Sequence, residues 1–374
     1  MLYNNYYSLS LNGDTVYINK YKINKLKSIE NIIFDCDGVL IDIRNSYDLS
    51  IKETLRYLFK SITNEEIISS KEIYELRLTG LFNNDWDLVH IIALGIFSYL
   101  PKSIAETVIK DLKGENVQYL NGSAYVNSFR INFSKFVNFI NENSFDRIKE
   151  YAIKLCRHNN TLDELNEFIG LLGDPMNTAN SMIVKLFDSI YYGENLYRQI
   201  YNSTPPLNRN GLIENEILLV NEDDLKILQP LIKGRRFLLL TGRSRVGTEY
   251  ILASLSKYFD FDSSIFIEDL IRTNKDLAVI MKKPSPEPLI KMSGELTTLY
   301  VGDSTEDILI AKHARQKGSK IFFAGVTGAK EDIKAYEELF MRSDSDLIVK
   351  SVKALAQTLF LIKNSGGFYE GRVK

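Results

Sequence analysis

From residue 236 onward, short apolar runs alternate with amphipathic stretches, and this restricts the fold more than any other feature of the chain. The runs are 236–240 (RFLLL), 264–267 (SIFI), 297–301 (TTLYV), 319–323 (SKIFF) and 346–349 (DLIV). The stretches 245–258, 286–293, 304–316, 329–341 and 350–362 carry helical periodicity. Strand alternating with helix predicts an α/β fold with a parallel sheet and right-handed crossovers. A further run, 31–34 (NIIF), lies far upstream and stops abruptly at Asp35. Continuous apolar runs of this length suit strands buried on both faces of a parallel sheet.

Between them the pattern changes. Segments 46–61, 64–77, 85–100, 103–113, 129–141, 145–157, 160–172 and 178–191 read as amphipathic helices. The breaker-rich YNSTPPLNRNGL (201–212) reads as their exit. The expected organisation is an α/β core made of residues 1–42 and 229–374, interrupted after its first strand by a helical domain at 43–228. Residues 6–19 alternate weakly around Asn12-Gly13, a good two-residue turn, so a β-ribbon is expected within residues 1–28.

Composition sets the setting. The 374 residues are 45% hydrophobic and 25% charged, enough for two ordinary domains. A net charge of -2 signals no nucleic-acid partner, and no apolar run of about 18 residues offers a membrane span. Cys36 and Cys156 form neither a disulfide framework nor a zinc spacing, and His90, His158 and His313 are scattered. The N-terminus has no signal-peptide pattern, so a cytoplasmic location is expected. No sustained heptad pattern appears, and a monomer or homodimer is expected.

Four motifs sit where a core strand ends or a helix begins. Asp35-Cys36-Asp37-Gly38 follows run 31–34; Thr241-Gly242-Arg243 follows run 236–240; Lys283-Pro284 precedes helix 286–293; Gly302-Asp303-Ser304 through Asp307 follows run 297–301. Open α/β sheets bind ligands at the carboxyl ends of their strands. Gathering Asp35, Asp37, Asp303 and Asp307 there would raise pKa values and weaken the fold unless a divalent cation answers their charge. An all-oxygen set with retained waters favours Mg²⁺. With the cation and Lys283 in place, a phosphate dianion is well received. Asp35 is then a nucleophile toward phosphorus, and Asp37 a general acid and base. The Thr241 hydroxyl and an exposed N–H at Gly242 suit a phosphate oxygen.

The segments FDCDGVLID (34–42), LLLTGR (238–243), KKPSPEPL (282–289) and VGDSTEDI (301–308) resemble the haloacid dehalogenase superfamily, in its phosphatase branch. The resemblance implies a Rossmann-like core with a helical cap inserted between the first and second motifs. It implies Mg²⁺ held by Asp35, the Asp37 carbonyl and Asp303, with Asp307 close by, and Thr241 and Lys283 as phosphate and intermediate stabilisers. FNNDWDL (82–88), GLIENE (211–216) and TGRSR (241–245) further resemble an archaeal and cyanobacterial subfamily of phosphoglycolate-phosphatase-like enzymes.

Asn83, Asn84 and Trp86 have two readings, a helix N-cap or a substrate-specificity loop. Arg243 reads either as a contact to substrate or cap acids or as a solvated cation. The expected activity is Mg²⁺-dependent hydrolysis of a small phosphorylated metabolite through an aspartyl-phosphate on Asp35. A phosphomutase of the same superfamily is the first alternative, and a non-catalytic regulatory protein the second.

Overall fold

The computed structural model describes residues 5–11, 13–78, 84–141, 146–234, 236–330 and 332–364. The chain forms two compact units, Met1–Ile43 with Glu216–Lys374, and Arg44–Asn215. The first segment carries β1 (Tyr6–Leu11), β2 (Asp14–Asn19), α1 (Ile23–Leu26), β3 (Asn31–Phe34) and β4 (Ile41–Asp42). The second unit is helical: α2 (Tyr47–Leu58), α3 (Ser70–Leu78), α4 (Asp85–Phe97), α5 (Lys102–Leu112), α6 (Ser123–Ile131), α7 (Phe133–Asn141), α8 (Asp146–His158), α9 (Leu162–Leu172) and α10 (Met182–Tyr201). The first unit resumes with β5 (Ile217–Leu218), α11 (Glu222–Leu228), β6 (Leu238–Thr241), α12 (Arg245–Leu252), β7 (Ile265–Phe266), α13 (Ile267–Thr273), α14 (Lys275–Met281) and α15 (Glu287–Ser293). It closes with β8 (Thr298–Gly302), α16 (Thr305–Gln316), β9 (Ile321–Val326), α17 (Ile333–Arg342), β10 (Leu347–Val349) and α18 (Val352–Asn364).

Eight strands form one sheet in the order β1-β2-β10-β9-β8-β3-β6-β7. The strands from β10 to β7 are parallel; β2 joins β10 antiparallel and β1 joins β2 antiparallel. The expected ribbon is thus the antiparallel edge of the main sheet; Asn12 of its turn lies outside the described residues. Alternation along β3 explains the double-sided core. Ile32 and Phe34 join one buried cluster with Leu239, Leu299, Val301 and Leu355. Ile33 joins another with Leu240, Tyr300, Ile310 and Phe340. The chain leaves β3 toward β6 on one side, and β8 lies on the other. Such a reversal of strand order opens a crevice at the carboxyl edge.

Residues 216–228, read from sequence as the end of the helical domain, pack with the first unit: Leu225 and Leu228 of α11 are in its core. A small second sheet pairs β4 with β5 antiparallel, where the chain leaves and re-enters this unit.

In the helical unit, α4 buries eleven of its thirteen residues and packs against α2, α6, α8, α9 and α10. A helix apolar on all sides belongs at the centre of a bundle. Phe97 stacks on Phe168 of α9 at 4.2 Å between centroids. The stretch expected as one helix over 129–141 is two, α6 and α7, meeting at Asn132. The helix expected over 64–77 begins at Ser70, and that over 178–191 runs on to Tyr201 across a break at Gly193. There φ is +70° and a Cβ would lie 2.3 Å from the Gly211 nitrogen, so only glycine fits.

Candidate active site

Asp35 follows directly on β3, and its N–H donates to the Val301 carbonyl of β8 at 2.8 Å. The chain then coils tightly. The N–H groups of Val39, Leu40 and Ile41 converge on the Cys36 carbonyl at 3.3, 2.8 and 3.0 Å. Gly38 makes the turn possible at φ +73°, and a Cβ there would lie 1.8 Å from Asp303 Oδ2. Cys36 is fully buried in the core, and burial pushes its thiol up, which leaves it inert.

Asp303 follows β8, the strand beside β3, and Asp307 lies in the first turn of α16. Ser304 caps that helix in a reciprocal capping box with Asp307. Asp307 is densely engaged. Its Oδ2 accepts from the N–H of Asp303 at 3.1 Å, the N–H of Ser304 at 3.0 Å and the Ser304 hydroxyl at 2.6 Å. Its Oδ1 accepts from Lys283 Nζ at 2.7 Å and the Tyr300 hydroxyl at 2.5 Å. Burial alone would raise this carboxyl, but Lys283, Ser304 and Tyr300 hold it below the usual carboxylate range.

Lys283, ahead of α15, also stands 3.1 Å from Asp35 Oδ1. Burial would lower its pKa; Asp307 and Asp35 overcome that and raise it, so the group is an ammonium. Asp35 is pushed up by burial, pulled down by Lys283, and pushed up again by Asp307, Asp303 and Asp37. Burial likewise raises Asp303 against the opposing pull of Lys330, whose Nζ is 2.5 Å from Asp303 Oδ2.

Asp35, Asp303 and Asp307 each offer an oxygen within 4.8 Å of the others. Two of these three carboxyls are driven toward protonation by their surroundings, the condition that a bound cation reverses. Their all-oxygen chemistry fits a hard divalent ion.

Thr241 closes β6 and is fully buried; its Oγ1 accepts from the Arg243 N–H at 3.2 Å. Gly242 beside it is exposed, with no atom within 4 Å of where a Cβ would stand. Arg243 is buried, not solvated. Its Nη1 stands 2.8 Å from Asp37 Oδ1, and its Nη2 stands 2.7 Å from Glu216 Oε2.

Sequence reasoning missed Tyr300, Lys330 and Glu216. Tyr300 was hidden inside an apolar run. Lys330 follows the carboxyl end of β9, the same edge that singled out Asp35 and Asp303, so its position was a usable signal. Glu216 closes the GLIENE segment, but its pairing with Arg243 was not legible, because the β4–β5 ladder that brings it in is only two residues long.

In the helical unit, Asn84 is the N-cap of α4, its side chain accepting from the Asp87 N–H at 2.7 Å. Trp86 is buried, and its indole N–H donates to Asp188 Oδ1 at 2.8 Å. Asp188 Oδ2 accepts from the Tyr201 hydroxyl. Asn83 lies outside the described residues.

No family model matches the chain. A stretch of 62 residues, 17% of this chain, is 36% identical to an imidazoleglycerol-phosphate dehydratase of Phytophthora nicotianae. That match covers 12% of the relative's length, so it bears on a small part of either protein. Among solved structures, phosphatase Tt82 from Thermococcus thioreducens aligns with 83% of this chain and 98% of its own, at 21% identity and a TM-score of 0.48. A likeness at that level assigns no activity and no site residue to this chain. Among the described residues, no helix is long and apolar enough to cross a membrane.

Proposed function

We propose that this chain is a phosphatase of the haloacid dehalogenase type, hydrolysing a small phosphate monoester with Mg²⁺ through an aspartyl-phosphate on Asp35. The observation that carries the reading is Lys283. Its ammonium stands between Asp35 and Asp307 inside a buried acid cluster that includes Asp303. A cation and a phosphate dianion together are the partners such a cluster suits.

Asp35 and Asp303 are the carboxylates that would hold the ion, with the Asp37 carbonyl as the resemblance implies. Asp307, already accepting from five donors, would serve behind them by fixing Lys283. When bound, Mg²⁺ would supply positive charge to the transferring phosphoryl oxygens. Thr241 and the Gly242 N–H hold the phosphate. Asp35 attacks phosphorus in line as Asp37 gives a proton to the leaving oxygen. Asp37 then takes a proton from the water that attacks phosphorus and frees Asp35. Asn83, Asn84 and Trp86 are candidate specificity residues; for Trp86 such a role would be indirect, through the Asp188 and Tyr201 hydrogen bonds.

The test is phosphate release over a panel of sugar, glycolyl, nucleoside and amino-alcohol phosphates, with Mg²⁺ and with chelator. Release that needs the metal and disappears in Asp35→Asn is expected. Isomerisation of a sugar 1-phosphate without release would favour the mutase alternative, and metal-independent release would overturn the reading.

A further inference from the structure

The proposed chemistry gives Arg243 no role that its surroundings explain. A cation next to the Thr241-Gly242 loop invites assignment to the phosphate. Its geometry points elsewhere. The guanidinium is 1% exposed, and Nη1 reaches Asp37 Oδ1 at 2.8 Å. The same Nη1 is 3.3 Å from Glu216 Oε1, and Nη2 is 2.7 Å from Glu216 Oε2. This is the two-pronged pairing in which a guanidinium and a carboxylate fix each other's plane. The Glu216 side chain is 0% exposed, whereas the Asp37 side chain is 29% exposed. The order is therefore a buried acid, a buried fork and an acid that emerges to the site.

The backbone holds this order in place. Asp42 pairs with Ile217 in the β4–β5 ladder, and the Leu219 N–H donates to the Leu40 carbonyl at 2.8 Å. The turn that carries Asp37 and the returning segment that carries Glu216 are stitched together within one unit.

We propose that Glu216 and Arg243 are positioning residues that act through Asp37: Glu216 locks the fork, and the fork fixes one Asp37 oxygen so that the other transfers the proton. Glu216 also balances the charge of Arg243 and so keeps it from competing for the phosphate. The inference rests on the phosphatase reading and adds to it how proton delivery is aimed.

A general acid matters most when the leaving group is poor, because a good one departs without a proton. The test compares pre-steady-state release of phenol from phenyl phosphate and of 4-nitrophenol from 4-nitrophenyl phosphate, with Mg²⁺. Glu216→Gln is expected to slow phenol release by about ten-fold or more and 4-nitrophenol release by less than about three-fold. Arg243→Gln combined with Glu216→Gln removes both buried charges together and leaves neither unpaired, so it covers the case in which the single variant fails to fold; the same selective loss is expected. Equal slowing on both substrates, a KM rise common to both, or no change on either would overturn the proposal. A wild-type chain that releases neither product would instead sink the phosphatase reading, and this inference with it.

Discussion

Gly38 shows how little freedom the site leaves a single residue. Its φ of +73° is a conformation that a side chain disfavours, and its Cα faces Asp303 so closely that one methyl group would meet Oδ2 at 1.8 Å. Gly38→Ala therefore combines backbone strain with displacement of a carboxylate proposed to hold the metal. Strain of this kind costs about 1–3 kcal/mol. The expected result is a lowered melting temperature together with at least about a ten-fold loss of phosphate release, one such step corresponding to about 1.4 kcal/mol in the barrier. Full activity in a stable Gly38→Ala chain would mean that Asp303 moves aside freely. The glycine's place directly after the two acids was legible in the sequence. Its contact with a residue far along the chain was not, because that depends on β3 and β8 being neighbours.

At the scale of elements, α4 carries the most unusual burial. His90 sits on this helix at 3% exposure, and neither ring nitrogen has a hydrogen-bond partner among the described residues. Burial, reinforced by Lys149 and opposed by Asp174, lowers its pKa from 6.5 to about 4. The folded helix thus holds a neutral imidazole, while the unfolded chain takes up a proton below pH 6.5. Stability from this group is complete above about pH 6.5 and falls as the pH drops toward 4, by about 3 kcal/mol at the limit. Urea unfolding of the full chain and of His90→Leu, compared at pH 7 and pH 5, reads this directly. The wild type should lose more stability than the variant between the two; an equal loss would remove the buried-imidazole account. The sequence showed α4 as a helix but not as the centre of its bundle. Periodicity reports one apolar face well, whereas a helix apolar on every side blurs it. The short α1, α13 and α14 escaped for a related reason: each is seven residues or fewer, under two turns of pattern.

For the whole molecule, the alternation after residue 236 was enough to define a parallel sheet, since each of its strands from β6 to β10 overlaps one of the short apolar runs. Which strand the hairpin joins was not legible, because β2 pairs with β10 from the far end of the chain. The candidate site is a product of that sheet. Its acids come from the ends of adjacent strands, and sequence spacing cannot show adjacency across a long insertion. In the proposed mechanism Asp35 becomes covalently phosphorylated. The most direct measurement is acid quenching of the Mg²⁺-loaded chain during turnover of a ³²P-labelled phosphate ester, followed by peptide mapping. Label is expected on the peptide carrying Asp35, and none in Asp35→Asn. Turnover that leaves no trapped label, or label on any other residue, would contradict it.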